Sequence, residues 1–117
     1  MNMKNKRPLI LLFLACCLHQ QSFGQTVFGV RDCGQWIARK DGAGARGIQQ
    51  DRESWLAGYM TGLNVEYYFY RNNLDPLAKI NSVSQIFLWM DNYCKKNPLS
   101  NLGAGGVELL DELKQKK

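Results

Sequence analysis

Histidine is nearly missing from these 117 residues: there is one, His19. It falls in the first 24 residues, which read below as a removable leader, so the rest of the chain has none. That absence excludes serine–histidine and cysteine–histidine nucleophile pairs from the folded part, and histidine metal ligation with them. The acid pairs Asp51/Glu53 and Asp111/Glu112 do not replace them, because near-adjacent helical carboxylates diverge and are usually solvated. The chain is therefore expected to be no enzyme and to need no cofactor or metal. Proline is scarce too, at three residues, and no segment shows the strict apolar–polar alternation of a half-buried strand. The longest apolar run, Leu9 to Leu18, is half the length needed to cross a bilayer.

That run belongs to a leader. Lys4, Lys6 and Arg7 precede it without an acid, and Ser22 and Gly24 stand at the −3 and −1 positions of a cut before Gln25. The order of the three regions is that of a secretory signal peptide over residues 1–24, which implies export to the periplasm. A variant stays open. Phe13-Leu14-Ala15-Cys16 is a degenerate lipoprotein site that would leave a lipid on Cys16, although Phe and Leu fit it poorly. Residues 25–117 then form one small domain of 93 residues with 12 basic and 10 acidic side chains, a formal +2 against +5 for the whole chain. No basic stripe remains to suggest nucleic acid. The leader also takes Cys16 and Cys17, leaving Cys33 and Cys94. In an oxidising compartment a disulfide is their default state, with free or metal-bound thiols the lesser alternative. The bridge would close a loop with 60 residues inside it, for roughly 4 kcal/mol in the chain-entropy account.

What is present is helical spacing. Cys33, Trp36 and Ile37 predict a short helix over Asp32–Arg39. The stretch from Lys40 to Gly47 holds three glycines and predicts a flexible loop. A second helix is predicted from about Gln50 to Tyr70. On it Trp55, Leu56, Tyr59, Met60, Leu63, Tyr67 and Tyr70 share an arc of about 140° that should face the core. Gly58, Gly62, Val65 and Phe69 form a second flank where another helix backbone could come close. Tyr68 alone of its aromatic run is left pointing outward, beside Asn64. Arg71 to Lys79 reads as a turn-rich connection. A third helix starts near Ser82 with Val83, Ile86, Phe87, Met90, Tyr93 and Cys94 inward, and stops at Lys95-Lys96-Asn97-Pro98. A fourth covers Ser100 to Lys114, with Leu102, Val107, Leu109, Leu110 and Leu113 apolar and fraying expected at Gly103, Gly105 and Gly106. The fold class is all-α: a small four-helix bundle with one disulfide.

Several short motifs occur in a particular order. Cys33-Gly34-Gln35-Trp36 comes first, then the Trp55–Asn64 stretch WLAGYMTGLN, then the Trp89–Leu102 stretch WMDNYCKKNPLSNL, and an apolar ELLDEL closes the set. This set resembles the Rap/Tai family of type VI secretion immunity proteins, small periplasmic helical proteins related in fold to the acid-stress chaperone HdeA. The resemblance covers nearly all of residues 25–117. It implies an HdeA-like bundle that binds and plugs the cleft of a secreted peptidoglycan amidase. It supplies no contact residues. From the sequence itself, the candidates for partner contact are Asn64, Tyr68, Arg71 and Asn72 near the end of the second helix, with the Lys40–Gly47 loop. The glycines at 103, 105 and 106 depart from the alanine expected there. Two other roles stay open, an HdeA-like acid-stress chaperone and an exported binding domain of another kind. A homodimer would also suit an exposed Tyr68.

Overall fold

A computed structural model describes residues 26–115 of the chain. The leader, Cys16 and the final two lysines lie outside those residues. Four α-helices follow one another: α1 Cys33–Ile37, α2 Ala45–Tyr70, α3 Val83–Lys96 and α4 Leu102–Gln115. Single 3-10 turns, Ala38–Lys40 and Pro76–Lys79, connect the first two and the middle two. Among the described residues there is no strand, only an isolated bridge pairing Asp32 with Asn101, so the fold is all-α as the spacing predicts.

Local chemistry sets the helix starts. The Asp32 side chain accepts from the Gln35 N–H at 2.7 Å while the Gln35 amide oxygen accepts from the Asp32 N–H, a reciprocal cap that begins α1. Ser82 and Gln85 repeat the arrangement at α3. Asn101 caps α4 by accepting from the Ala104 N–H at 3.0 Å. α2 starts differently. Gly44 precedes it with φ 78°, a left-handed turn that glycine adopts without penalty. That helix begins at Ala45, about five residues earlier than the predicted boundary, and absorbs the end of the glycine-rich segment.

Three ties knit the bundle. Cys33 and Cys94 are bonded, with Cα atoms 4.9 Å apart, joining α1 to α3. The backbone before α1 meets the backbone before α4: Cys33 N–H donates to Ser100 O at 2.9 Å and Leu102 N–H to Arg31 O at 3.0 Å. The core between them holds Trp36, Leu56, Met60, Met90, Leu102 and Leu110, all essentially inaccessible. Each such side chain contributes roughly 1.5–3 kcal/mol through burial.

Two expectations for packing are corrected. α2 is buried along one narrow line, with Leu56 and Met60 inside and Trp55, Leu63 and Tyr67 partly covered. Tyr70, placed by spacing on the core face, is 80% exposed, and Phe69 is 73% exposed. A Cβ added at Gly58 or Gly62 would meet nothing within 4 Å, so among the described residues no helix packs on that flank. The reason is length. At 1.5 Å per residue α2 is about 39 Å long, while α3 and α4 are about 21 Å each, and they cover only one side of it.

The close approach occurs on α4 instead. Gly105 and Gly106 are buried. A Cβ at Gly105 would lie 2.7 Å from Met90 Sδ and 2.9 Å from Tyr93 Cδ1, and one at Gly106 would lie 2.8 Å from Tyr59 Cε1. The expected fraying of this half is therefore replaced by the tightest seam in the bundle. Val107 points the other way and is 44% exposed, as is Val83 on α3 at 46%.

Candidate protein-binding surface

The last turn of α2 presents three consecutive aromatic residues to solvent. Tyr67, one residue earlier, is the last one the bundle holds. Lys114, near the end of α4, donates to the Tyr67 hydroxyl at 2.9 Å, and its Nζ sits 4.5 Å from the centre of the ring. The Arg71 guanidinium lies 5.3 Å from that ring's centre. Past this point α4 ends and α2 continues, which leaves Tyr68, Phe69 and Tyr70 without a covering element among the described residues. Tyr68 and Phe69 meet edge to face with centroids 5.7 Å apart, a favourable geometry for an aromatic pair.

The turn that follows is ordered by asparagine. Arg71 N–H donates to Tyr67 O at 2.9 Å and Asn73 N–H to Tyr68 O at 3.1 Å. Asn72 and Asn73 both take φ near +57°, at 56° and 57°. Asparagine is one of the few residues that enter this left-handed region readily, so the pair ends the helix and turns the chain back. Asn64 then fastens the returning segment. Its amide donates to Asp75 Oδ1 at 2.7 Å and its oxygen accepts from Leu77 N–H at 3.0 Å. Of the four sequence candidates, Tyr68, Arg71 and Asn72 thus form one exposed tip. Asn64 stands half-buried behind them as a brace for the turn. The Lys40–Gly47 loop lies at the opposite end of α2, about 39 Å away, and is not part of this tip. A groove of about 660 Å³ runs along the side of α2 from the tip, between Phe28, Tyr59, Glu66, Tyr67 and Arg71.

A charged cluster that sequence reasoning missed sits at the other end. Arg39 is 2% exposed. Its Nε donates to Glu53 at 3.1 Å, and one terminal nitrogen donates to Asp91 Oδ1 at 2.7 Å and to Trp36 O at 3.0 Å. The guanidinium also lies 3.8 Å over the Trp36 ring. The Trp36 indole N–H donates to the same Asp91 oxygen at 2.7 Å, Lys40 Nζ stands 3.8 Å from the other, and Gln49 donates to Glu53. Burial alone would push the Asp91 carboxyl up. The Arg39 hydrogen bond and charge, with the Trp36 N–H and Lys40, more than reverse this and hold it below the usual carboxylate range. The available signal was spacing: Arg39 follows Trp36 at i+3, on the side of α1 that the bundle buries.

Elsewhere the polar groups serve packing. Burial raises the Tyr59 hydroxyl above its ordinary value while it donates to Gly103 O at 3.3 Å. Trp89 donates to Glu112 at 2.8 Å, and Asp51 pairs with Arg31 at 3.7 Å. Among the described residues no cluster of three histidine, cysteine or acidic side chains could hold a metal, and no helix is long and apolar enough to cross a membrane.

Comparison with known proteins adds no relative: no family model, no curated protein and no solved structure matches the chain.

Proposed function

We propose that this protein is an exported immunity protein that binds a type VI secretion peptidoglycan amidase and blocks its cleft. Its activity would be steric: a rigid helical tip occupies a catalytic groove and excludes the substrate. The observation that supports this reading most is the tip of α2. Tyr68, Phe69 and Tyr70 are exposed side by side at a helix end braced by Asn64 and followed by Arg71. Aromatic rings and arginine dominate binding energy at protein interfaces, and a tip ordered before binding loses little entropy on docking. The motif order along the sequence supplies the class of partner.

The test is direct. The purified protein, mixed with a candidate amidase, should form a complex stable to gel filtration and should stop peptidoglycan hydrolysis. Tyr70→Ala together with Arg71→Ala should weaken the complex by roughly a hundredfold or more, if both act as hot spots. No complex with any cognate amidase, and no protection of cells expressing one, would overturn the proposal.

A second reading, an acid-stress chaperone, is favoured by the buried Arg39 cluster. Protonating Asp91 would weaken the anionic support of the buried Arg39, a change that favours opening of the bundle. Suppression of client aggregation near pH 2 by the purified protein would support that role, and inactivity there would remove it.

A further inference from the structure

The groove between α2 and α4 has the make-up of a small-ligand site. Leu63, Val107 and Leu110 give it an apolar floor, and the rings of Tyr59 and Tyr67 line it. Its volume of about 660 Å³ falls in the range of pockets that hold small molecules. The residues before α1 form the rim. Phe28 lines the groove and is nevertheless 87% exposed, so most of its ring is left for another molecule to cover.

Two charges of the lining have no counterion. The Arg71 guanidinium rests over the Tyr67 ring, and neither it nor Glu66 forms an ion pair among the described residues. Lys114 gives the contrast: it lies over the same ring, but Asp111 neutralises it. Glu66 and Arg71 do not neutralise each other, since five residues of α2 separate them by about 7.5 Å along its axis. The other polar heads of the lining are engaged. The Tyr59 hydroxyl donates to Gly103 O, and the Tyr67 hydroxyl accepts from Lys114. At the rim, Thr26 and Val27 make no backbone hydrogen bond among the described residues, so their N–H and C=O groups are open to another backbone.

We propose that this groove binds a short apolar peptide with both ends free, its ammonium at Glu66 and its carboxylate at Arg71. Two extended residues span about 7 Å, which matches the separation of the two charges. The guanidinium can take a carboxylate through two parallel hydrogen bonds. The side chains of such a dipeptide would lie on Leu63, Val107 and Leu110 under the Phe28 ring. A fatty acid would satisfy Arg71 but set its hydrocarbon against the Glu66 carboxylate. An internal stretch of a protein brings neither terminal charge. The site shares Arg71 with the aromatic tip but does not rest on the immunity reading, because its test contains no amidase.

Titration calorimetry of the purified, disulfide-bonded protein with leucyl-leucine tests this. A dissociation constant on the order of 100 µM is expected. N-acetyl-leucyl-leucine and leucyl-leucinamide, each lacking one charge, should bind roughly five- to tenfold more weakly. Glu66→Gln should then hold the free and acetylated dipeptides alike, and Arg71→Gln the free dipeptide and its amide alike. Both residues are exposed, so the fold should accept either change, and an unaltered circular dichroism spectrum would verify this. The blocked peptides test the wild-type protein by themselves, whatever the variants do. No binding of leucyl-leucine up to about 10 mM would overturn the proposal. So would binding that ignores both blocked ends, or binding of laurate in place of the dipeptide.

Discussion

Two pairs of glycines divide this molecule into a closed side and an open side. Gly105 and Gly106 on α4 sit where Met90, Tyr93 and Tyr59 approach within 3 Å of an added Cβ, while a Cβ at Gly58 or Gly62 on α2 meets nothing within 4 Å among the described residues. The residue type is the same and its work is opposite. On the closed side glycine lets two helices meet; on the open side it bares backbone to solvent. The closed side therefore governs stability, and the open side, with the aromatic tip beyond it, is the part available to other molecules.

The largest expected effect lies in what locks the closed side. The Cys33–Cys94 bridge ties α1 to α3, and α3 supplies Met90 and Tyr93 to the glycine seam. Replacing both cysteines with alanine should cost about 4 kcal/mol, read as a drop in the denaturant midpoint. A chain this small has a total stability of the same order, so the variant should be largely unfolded at 37 °C. Full retention of the midpoint would show that the seam holds without its cross-link.

The next effect attacks the seam itself. Gly105→Ala places a methyl group 2.7 Å from Met90 Sδ and 2.9 Å from the Tyr93 ring. The thioether can move. The ring cannot easily do so, because it stacks on Trp89 at 5.4 Å and its hydroxyl shares a 2.7 Å hydrogen bond with Ser100. Overpacking of this kind should destabilise by about 1–3 kcal/mol, measured by thermal denaturation. A neutral outcome would mean that α4 slides along α3 more freely than the closed seam allows.

This contrast also marks what the sequence could tell. The helices and the disulfide pairing were legible, because 3.6-residue spacing acts locally and cysteine number works by elimination. The face of α2 was legible at Leu56 and Met60 and misleading at Phe69 and Tyr70. Spacing states which residues share a face; it does not state how far a neighbouring helix reaches. The seam was hidden for a related reason: glycine reads as a weak helix former whether it is crowded or bare. Arg39 was hidden because a charged residue at the end of a short helix reads as solvated until Glu53 and Asp91 arrive from 14 and 52 residues away. At the tip, Tyr68 was expected to face outward and does, whereas Asn64 holds the turn that presents it.

Acid offers a graded way to loosen the closed side at one point. Asp91 is held below the usual carboxylate range in the folded protein. Its contribution is therefore fully present above the unfolded value near pH 4 and is lost as pH falls through the lower folded value. Asp91→Asn should cost about 1–2 kcal/mol at neutral pH by weakening its bonds to Arg39 and Trp36. The gap in melting temperature between the two proteins should then narrow as pH drops from 5 towards 2. A gap that stays constant over that span would detach Asp91 from the acid response. Lys114 runs the opposite way: its bonds to Asp111 and to the Tyr67 hydroxyl raise it, so any contribution persists to high pH and fades only as pH rises through its folded value.

The smallest effect has the most informative sign. Gly58→Ala adds a methyl group to open space on a regular helix, so no clash opposes the gain in helix propensity. The protomer should become more stable by about 0.5–1 kcal/mol, visible as a rise in melting temperature at low protein concentration. Gly105→Ala, the same chemical change, should lower it. Opposite signs from one substitution type would show that the two glycine pairs answer to different constraints, one within the fold and one outside it. Two losses would mean instead that Gly58 already touches something in the protomer, and the open face of α2 would no longer be open.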